Sequence, residues 1–496
     1  MKRTAVINIV GLTDALIGEH TPRIRDFAAR GDKASIEPAF PAVTCTAQST
    51  YLTGTTPSAH GIVGNGWYNR ELAEVQFWKQ SNHIVHGRKL WDELRERDPK
   101  FTCAKLFWWY NMYSTADYSI TPRPMYPADG RKVFDIYTHP GNIRHDIQRD
   151  LGPFPFPCFW GPAAGVDTPQ GPANAVSQWI AESAKWIEEQ CSPTLSLIYL
   201  PHLDYNLQRH GPYVAADVRR RSSEQVSTNP PPDVGGYLIN PAIHRDLREI
   251  DSIVGDLIKY FQDRSIQVIL LSEYGITNVN TPIHINRLLR QPRGPSLVVR
   301  VEEIDRELLD PGASDVFAVA DHQIAHVYLK EPSLECRVRP YLEETEGIAA
   351  VFGAKEKAEL GIDHPRAGDL IAIAKEDAWF TYYYWEEPGS APDFARTVDI
   401  HRKPGYDPVE LFLDPKIPHP KLKIAWRLLQ KKLGFRMLMD VIPLDATLVK
   451  GSHGARPKNI SDWPVLITEK NCLPPSSQLH ATDVYHILKR CLLDRE

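Results

Sequence analysis

The sequence predicts an α/β protein whose central, mostly parallel sheet is sandwiched by helices and which carries an inserted smaller subdomain. Short apolar runs rich in β-branched residues alternate with segments in which apolar residues recur every three or four positions. The apolar runs are uninterrupted, which is typical of strands that helices cover on both faces. A chain of 496 residues, 42% of them apolar, can bury a core of this size.

The clearest elements alternate along the chain as this architecture requires. In chain order they are a strand at 5–10, a helix around 174–190, a strand at 194–200, a helix at 243–261 and a strand at 266–272. The helices carry apolar residues on one face, whereas the strands are apolar throughout. This order predicts parallel strands connected by helices that pack against the sheet.

The segment from about 296 to 425 differs from the rest, because it is richer in proline and in short strand-like runs. Two such runs are LIAIA (370–374) and FTYYYW (380–385). The stretch 219–240 has no periodicity and is predicted to be an inserted surface loop; whether it is a lid is left open. The predicted division is 1–295 for the main α/β domain, 296–425 for the subdomain, and 426–496 for the return to the main domain.

Composition excludes several classes of protein. A formal charge of −5 gives no basic surface for a nucleic acid polymer. Seven scattered cysteines without a CxxC pair indicate reduced thiols and argue against a disulfide framework or a zinc ribbon. No run of about 18 apolar residues could span a membrane, and the N-terminal apolar run is interpreted as a buried strand. We therefore expect a cytoplasmic protein with neither nucleic acid nor membrane partners.

Polar residues follow the predicted strands, where open α/β sheets bind their ligands. Asp204 and Glu273 each come shortly after a strand, and His453 lies between two glycines in GSHG. Asp321 and His322 belong to a second polar cluster, DHQIAH. Carboxylates and imidazoles are common ligands of divalent cations. Helix capping and turn formation also explain such residues, so the sequence leaves both interpretations open.

The stretch PAVTCTAQSTYLTGTTPSAHGIVGN (41–65) is crowded with hydroxyl side chains. These hydroxyls could serve ordinary turns, or one of them could be a nucleophile. A threonine hydroxyl needs a neighbouring base or a metal to become a nucleophile. The stretch alone does not decide between these alternatives.

The order of short motifs resembles the nucleotide pyrophosphatase/phosphodiesterases of the alkaline phosphatase superfamily. The matching motifs are Gly11, TPRI at 21–24, PAVT at 41–44, Thr53–Gly54 and PSAHGIVGN at 57–65, followed by Asp204, GP at 211–212, SEYG and GSHG. The resemblance implies an alkaline-phosphatase-like fold and a hydrolase that cleaves a phosphodiester or pyrophosphate bond in a small phosphorylated substrate.

The resemblance also implies roles for individual residues. Thr44 looks like the nucleophile that becomes transiently phosphorylated, and Asn65 like the donor that holds a phosphoryl oxygen. The family usually binds two divalent metals, mostly zinc, about 4 Å apart. The implied metal ligands are Thr44, Asp204, Gln208, Glu273 and His453, with His210, Asp321 and His322 as further candidates.

Three positions depart from the family pattern of metal ligands. Val10 replaces a metal-binding aspartate, Tyr274 replaces a histidine, and Gln208 replaces another histidine. The amide oxygen of Gln208 is a weaker zinc ligand than imidazole. A single metal, a rewired site or a loss of metal binding would each explain these changes. The predicted function is a metal-dependent phosphohydrolase; the alternatives are a phosphonate or phosphomonoester hydrolase, another phosphoryl enzyme, or a non-hydrolytic binder of a phosphorylated ligand.

Overall fold

A computed structural model describes residues 1–128, 132–215, 237–290, 299–301, 305–474 and 478–493. Its strands are β1 (Thr4–Ile9), β2 (Asp32–Glu37), β3 (Gly66–Asn69), β4 (Glu74–Phe77), β5 (Cys103–Leu106), β6 (Tyr118–Pro122), β7 (Ile136–His139), β8 (Leu195–Leu200), β9 (Tyr213–Ala215), β10 (Tyr237–Ile239), β11 (Gln267–Leu271), β12 (Thr277–Asn278), β13 (Thr281–Ile283), β14 (Val299–Val301), β15 (Glu307–Leu309), β16 (Val316–Asp321), β17 (Ile324–Leu329), β18 (Ile348–Phe352), β19 (Leu370–Ala374), β20 (Ala378–Phe380), β21 (Gly451–Ser452), β22 (Val465–Thr468) and β23 (Gln478–His480).

The α-helices follow the same chain order. They are α1 (Pro22–Arg30), α2 (Thr44–Thr53), α3 (Pro57–His60), α4 (Leu90–Arg97), α5 (Ile143–Leu151), α6 (Ala175–Cys191), α7 (His202–His210), α8 (His244–Gln262), α9 (Ile285–Arg290), α10 (Glu335–Glu343), α11 (Ala354–Glu359), α12 (Pro420–Lys432) and α13 (Asp483–Leu492). No helix in the described part of the chain combines the length and the apolar character needed to cross a bilayer.

A nine-stranded sheet in the order β23-β2-β22-β11-β1-β8-β5-β6-β7 forms the centre of the molecule. The strands β11, β1, β8, β5 and β6 are mutually parallel, and β2 is parallel to β23. The strand β22 pairs antiparallel with β2 and β11, and β7 pairs antiparallel with β6. Every residue of β1, β8 and β11 is buried, as uninterrupted apolar runs predict.

Helices flank this sheet, which confirms the predicted α/β class. The apolar face of α6, with Val176, Ile180 and Ile187, is buried, and α6 packs against β8 and α8. The helix α8 buries Leu247 and Val254 on the face predicted from its three- and four-residue spacing. On a separate part of the sheet, α13 packs against α2 and α4. The predicted strands and helices of the main domain are thus found within one or two residues of their expected bounds.

A second core is built around the four-stranded antiparallel sheet β16-β17-β19-β18. The strand β19 coincides with the predicted run 370–374, whereas the prediction of a strand over 380–385 is wrong beyond Phe380. Residues 381–385 form no ladder; all five side chains are buried, and the four aromatic ones at 382–385 belong to this core. A run of apolar residues that is buried on every side resembles a strand in the sequence, although the backbone of 381–385 pairs with no described strand.

The second core draws on residues outside 296–425, including Phe77, Val279 and Val449. The division of the chain at 296 and 425 stays a prediction. The predicted inserted loop 219–240 lies mostly outside the described residues. Its last part contains β10, which pairs antiparallel with β9.

Candidate active site

A pocket with about 500 Å³ of empty space opens beyond the carboxyl ends of β8 and β11. This is the position at which open α/β sheets bind ligands. The main domain and the second core both contribute to its wall. The residues that line it are Thr44, Trp78, Trp109, Phe159, Trp160, Tyr199, Pro201, Asp204, Tyr205, Gln208, Tyr274, His322, Ile400, Tyr406 and His453.

Thr44 is the first residue of α2, directly after the extended residue Val43. The first backbone N–H groups of a helix have no partner within the helix, so this end attracts anions. The Thr44 hydroxyl lies 3.2 Å from the hydroxyl of Tyr274. Thr44 therefore presents an oxygen to the pocket at the end of α2 that favours negative charge.

The remaining hydroxyls of 41–65 have other uses. Thr46 donates to the carbonyl of Ile62, Thr50 hydrogen-bonds Nε2 of His60, and Thr53 donates to the carbonyl of Ser49. Of the hydroxyl side chains in this stretch, all within the described residues, Thr44 is the one that lines the pocket. The structure thus singles out Thr44 from its hydroxyl-rich surroundings.

A chain of hydrogen bonds runs from Thr44 across the pocket. The Tyr274 hydroxyl donates to Oδ1 of Asp204 at 3.2 Å, and Nε2 of Gln208 donates to Oδ2 at 2.8 Å. The Tyr406 hydroxyl donates to Oε1 of Gln208 at 3.1 Å. Asp204 and Gln208 lie one turn apart on α7, so they share one face of that helix. Burial raises the pKa of Asp204 to about 7.

Glu273 is fully buried behind Thr44 and does not line the pocket. Its Oε1 accepts hydrogen bonds from the amides of Asn8, at 2.5 Å, and Gln48. Its Oε2 has no hydrogen-bond partner among the described residues. Burial raises the pKa of Glu273 to about 8, and interactions with Gln48, Asn8 and Thr44 partly oppose this rise.

Two histidines present one ring nitrogen each to the pocket. Nδ1 of His322 lies 2.8 Å from Oδ1 of Asp321, and Nδ1 of His453 lies 2.8 Å from the carbonyl oxygen of Ala42. Burial lowers the pKa of both imidazoles well below the usual value, so both are neutral. A neutral imidazole whose Nδ1–H is bound to an acceptor keeps the lone pair on Nε2. Such a nitrogen is available as a metal ligand.

The two imidazoles belong to a stack of rings. The His322 ring lies 3.7 Å from that of His453 and 3.6 Å from that of Tyr406. On its other side, the His453 ring stacks on Tyr274 at 3.6 Å, with 8° between the planes. This stack holds both histidines in place without using their Nε2 atoms.

Asn65 lies behind the pocket and is not part of its wall. Its Oδ1 accepts from the backbone N–H of Cys45 at 3.0 Å, which fixes the first turn of α2. Its own N–H and its Nδ2 donate to Asp321 at 2.7 and 3.0 Å. Burial raises the pKa of Asp321 to about 6 despite these bonds. Asn65 therefore links the start of α2 to the carboxylate that holds His322.

The structure brings most of the predicted site residues together. Thr44, Asp204, Gln208, His322 and His453 line one pocket, and Asn65, Glu273 and Asp321 lie directly behind it. His210 is exposed at the end of α7 and is not part of the pocket wall. The sequence does not predict the aromatic part of the pocket wall, because nothing in the local sequence distinguishes its residues from aromatic residues of the core. This part includes Trp78, Trp109, Trp160 and Tyr406.

The donor set does not fit the two-metal arrangement that the resemblance implies. Val10 is buried and apolar, and the Tyr274 hydroxyl occupies the position between Thr44 and Asp204. Within the described residues, no three His, Cys, Asp or Glu side chains of this pocket have ligand atoms within 4.8 Å of one another. The residues that remain, two neutral imidazoles and one carboxylate, suit one divalent cation at most.

A different group of the described residues does converge closely enough to hold a cation. Nε2 of His202 lies 3.3 Å from Oδ1 of Asp246 and 3.2 Å from Oε2 of Glu249. Asn206 and Arg245 also hydrogen-bond to these carboxylates. The group joins the start of α7 to α8. It is not part of the pocket wall.

Comparison with known families agrees with this geometry. The sequence profile of the family described as "Type I phosphodiesterase / nucleotide pyrophosphatase" matches residues 4–407, which include every pocket residue except His453. The chain belongs to this family. The predicted membership and the predicted class of enzyme, a hydrolase, are thereby confirmed. No curated protein matches the chain significantly over its sequence.

Solved structures of the family and its superfamily share the fold at low sequence identity. Murine ectonucleotide pyrophosphatase/phosphodiesterase 5 is 13% identical, with a TM-score of 0.55, over 99% of this chain and 95% of that chain. Phosphonoacetate hydrolase from Sinorhizobium meliloti 1021, in complex with phosphonoformate, is 11% identical, with a TM-score of 0.57, over 99% of this chain and 96% of that chain. An inactive form of the murine protein was solved in complex with AMP. At these identities, the structural similarity supports the fold of this chain and says nothing about its substrate.

Proposed function

We propose that this chain hydrolyses a phosphodiester or pyrophosphate bond of a small ligand through a phosphorylated Thr44. The observation that carries the proposal is the position of the Thr44 hydroxyl. It lies at the first turn of α2, faces the pocket and hydrogen-bonds Tyr274, which in turn reaches Asp204. The family membership of the chain supports the same chemistry.

The first turn of α2 would bind the phosphoryl group. The Thr44 and Thr46 N–H groups, which have no partner within α2, and the positive end of the helix dipole favour an anion at this point. The bond from Cys45 N–H to Asn65 fixes the direction of that turn. One hydrogen of the Asn65 amide is bound to Asp321, and Asn65 lies behind the pocket wall. Asn65 would therefore act by orienting the first turn of α2 toward the phosphoryl group.

Proton transfer would follow the hydrogen-bonded chain from Thr44 to Tyr274 to Asp204. Thr44 Oγ1 would attack phosphorus, the bond to the leaving oxygen would break, and the threonine proton would move along the chain to Asp204. Asp204 would return a proton to the leaving oxygen, and water would later release the remaining phosphomonoester from Thr44. The pKa of about 7 that burial gives Asp204 would fall once its carboxylate binds a cation, so Asp204 would hold the proton only in passage to the leaving oxygen.

We propose that Asp204, His322 and His453 hold one divalent cation in this pocket; their ligand atoms do not all lie within 4.8 Å of one another, so the side chains would have to move together to bind it. The arrangement has two neutral imidazoles, each anchored through Nδ1, and one carboxylate. Carboxylates have about four lone-pair positions, so Asp204 can keep its two hydrogen bonds and still bind a cation. The bound cation would neutralise charge on the phosphoryl oxygens. None of the described residues that line the pocket is lysine or arginine, so no side chain offers that charge.

The aromatic wall would receive the non-phosphorylated part of the ligand. The Trp78 and Trp109 rings lie 4.8 Å apart, and Tyr406 lies 6.0 Å from Trp78 and 5.7 Å from Trp160. Such a wall binds planar or apolar groups. The murine relative was solved in complex with AMP, a ligand that joins a phosphoryl group to a planar base. Phosphonates and phosphomonoesters remain alternative substrates of the same pocket.

The test is to remove and then restore the hydroxyl. We expect Thr44→Ala to lower hydrolysis of phosphodiester and pyrophosphate substrates by roughly a thousandfold or more, because the nucleophile is absent. Thr44→Ser should keep measurable activity, since it retains the hydroxyl. Rapid acid quenching of the wild-type enzyme during turnover, followed by peptide mass spectrometry, should detect on Thr44 a phosphoryl group that still carries the retained part of the substrate.

Two results would contradict the proposal. One is full activity of Thr44→Ala on every ester that the wild type cleaves. The other is a wild-type protein that binds AMP or phosphate but hydrolyses no phosphodiester, pyrophosphate or phosphonate with any divalent metal added. The second result would favour a non-hydrolytic binding protein, the alternative that Val10 and Tyr274 suggest.

A further inference from the structure

The helix α12 and the turn after it expose an unusual number of large apolar side chains. Leu422, Trp426, Leu429 and Leu433 have 69%, 58%, 44% and 64% of their surface exposed. Phe435 and Leu438, in the following turn, are exposed as well. No residue of α12 is buried. Large apolar residues gathered in this way usually mark an interaction surface.

The four helical residues form one continuous stripe. They occupy positions i, i+4, i+7 and i+11, which fall on the same side of an α-helix. This stripe points away from the protein. On the other side of α12, Ile424 packs against the second core, and Met439 from the following turn does so too. The helix is therefore fixed to the molecule by one face and presents the apolar stripe on the opposite one.

Basic residues accompany the stripe and acidic residues are missing. Residues 419–439 contain Lys421, Lys423, Arg427, Lys431, Lys432 and Arg436, and no Asp or Glu. Lys423 and Arg427 both pair with Asp440. Lys421, Lys431, Lys432 and Arg436 have no carboxylate partner in the described part of the chain. The local excess of positive charge contrasts with the formal charge of −5 for the whole chain.

We propose that α12 and the turn through Met439, the 419–439 surface, bind the surface of a membrane that contains anionic lipids. The helix would lie in the plane of the interface, with Trp426 and the leucines among the acyl chains and the free lysines at the headgroups. A basic helix with one apolar face containing tryptophan is the pattern that partitions to such interfaces. The protein would lie on the membrane and not cross it, in agreement with the lack of a described spanning helix.

Charge favours this occupant over a second copy of the chain. A symmetric dimer through the 419–439 surface would bring two sets of four unpaired cations together. A negatively charged lipid surface instead attracts them, by an amount that falls with ionic strength. The proposal does not depend on the proposed chemistry of Thr44, which lies on a different element.

Vesicle co-sedimentation of the full chain tests the proposal. We expect binding to phosphatidylcholine vesicles that contain about 30% phosphatidylserine, and little binding to pure phosphatidylcholine vesicles. The double variant Trp426→Ser/Leu429→Ser should bind at least roughly tenfold more weakly, since the apolar contacts are lost. Raising the salt concentration to about 0.5 M should weaken wild-type binding too, because salt screens the lysines.

Two controls separate this surface from general stickiness. Leu72→Ser removes a residue of similar exposure, 59%, far from α12 in the sequence, and should bind as the wild type does. Lys421→Glu/Lys431→Glu/Lys432→Glu keeps the stripe and should lose the preference for phosphatidylserine. Thermal unfolding of each variant should match the wild type, as these side chains are exposed.

The proposal fails if the wild type does not bind the phosphatidylserine vesicles, or if the stripe variant binds them equally well. It also fails if light scattering shows a dimer that Trp426→Ser/Leu429→Ser dissociates.

Discussion

Three buried carboxyl groups around the pocket have no lysine or arginine partner among the described residues. Asp204, Glu273 and Asp321 are buried, and burial raises their pKa values to about 7, 8 and 6. Their hydrogen bonds come from neutral amides, hydroxyls, an imidazole and backbone N–H groups. A bound cation would therefore lower the cost of ionising these groups, which is the electrostatic reason to expect one here.

Lys105 is a fully buried lysine on β5, and its amine is bound to backbone carbonyls. Its Nζ donates to the carbonyl oxygens of Trp109 at 2.6 Å and Tyr110 at 2.9 Å. Burial lowers the pKa of Lys105 to about 7. In the unfolded chain the amine keeps its proton up to pH of about 10.5.

This shift predicts a pH dependence of stability. Between pH 7 and 10 the unfolded chain binds more protons than the folded chain, so stability should rise with pH through this side chain. From pH 7 to 9 the wild type should gain about 2 kcal/mol relative to Lys105→Met. Urea denaturation at both pH values measures the difference. Lys355→Met, at an exposed lysine, is the matched control and should follow the wild type. An identical pH dependence in Lys105→Met and wild type would refute the prediction.

At the scale of elements, the hairpin β16–β17 delivers His322 to the pocket through a strained turn. His322 has a φ of 62°, a left-handed conformation that residues other than glycine adopt at a cost. Its carbonyl accepts from the backbone of Phe380, and the next N–H, of Gln323, donates to the carbonyl of His453. Both bonds hold the turn in this conformation. A functional role of the imidazole would explain the presence of histidine at a position whose backbone conformation favours glycine.

The strain predicts an unusual order of stabilities for two variants. His322→Ala and His322→Gly remove the same imidazole, but only alanine retains the cost of the left-handed backbone. His322→Gly should therefore be more stable than His322→Ala by about 1 kcal/mol, although glycine normally destabilises regular structure. Denaturation curves of the two proteins give the answer directly. If alanine equals or exceeds glycine, the turn is not strained at this residue.

At the scale of the whole molecule, the pocket depends on both cores. The main domain supplies Thr44, Asp204 and Tyr274, and His322 and Tyr406 come from chain segments that pack in or against the second core. His453 returns from the C-terminal part of the chain. A cation held by Asp204, His322 and His453 would therefore join parts of the chain that are far apart in sequence.

The shared site predicts how cation affinity responds to substitution. His322→Ala should abolish the pocket cation, and Asp321→Asn should weaken it by about 10- to 100-fold, because Asp321 orients the imidazole of His322. Competition with a chromogenic chelator measures both affinities for zinc. His210→Ala is the control and should bind zinc as the wild type does, since His210 is exposed outside the pocket. Equal affinity in His322→Ala and wild type would place the cation elsewhere, with His202, Asp246 and Glu249 as the next group to test.

The sequence by itself determined the architecture of the main domain and pointed to three residues of the site. Apolar periodicity reports burial along a single element, so β1, β8, β11, α6 and α8 could be predicted from it. The order of short motifs along the chain pointed to Thr44, Asp204 and His453 through the resemblance to the family, whereas the residues alone left their roles open. Periodicity and short motifs are local properties, and local sequence is sufficient to show them.

Only the tertiary structure decided how the site is assembled. The Thr44–Tyr274 contact joins residues 230 positions apart, and the Asn65–Asp321 contact joins residues 256 apart. No local pattern reports which distant side chains meet, so the placement of Asn65 behind the pocket and the aromatic wall could not be foreseen. The same holds for α12, whose apolar stripe resembles that of a core helix until the fold shows that none of the described residues covers it. Pairing across the chain depends on the packing of the two cores, and that packing is a property of the whole molecule.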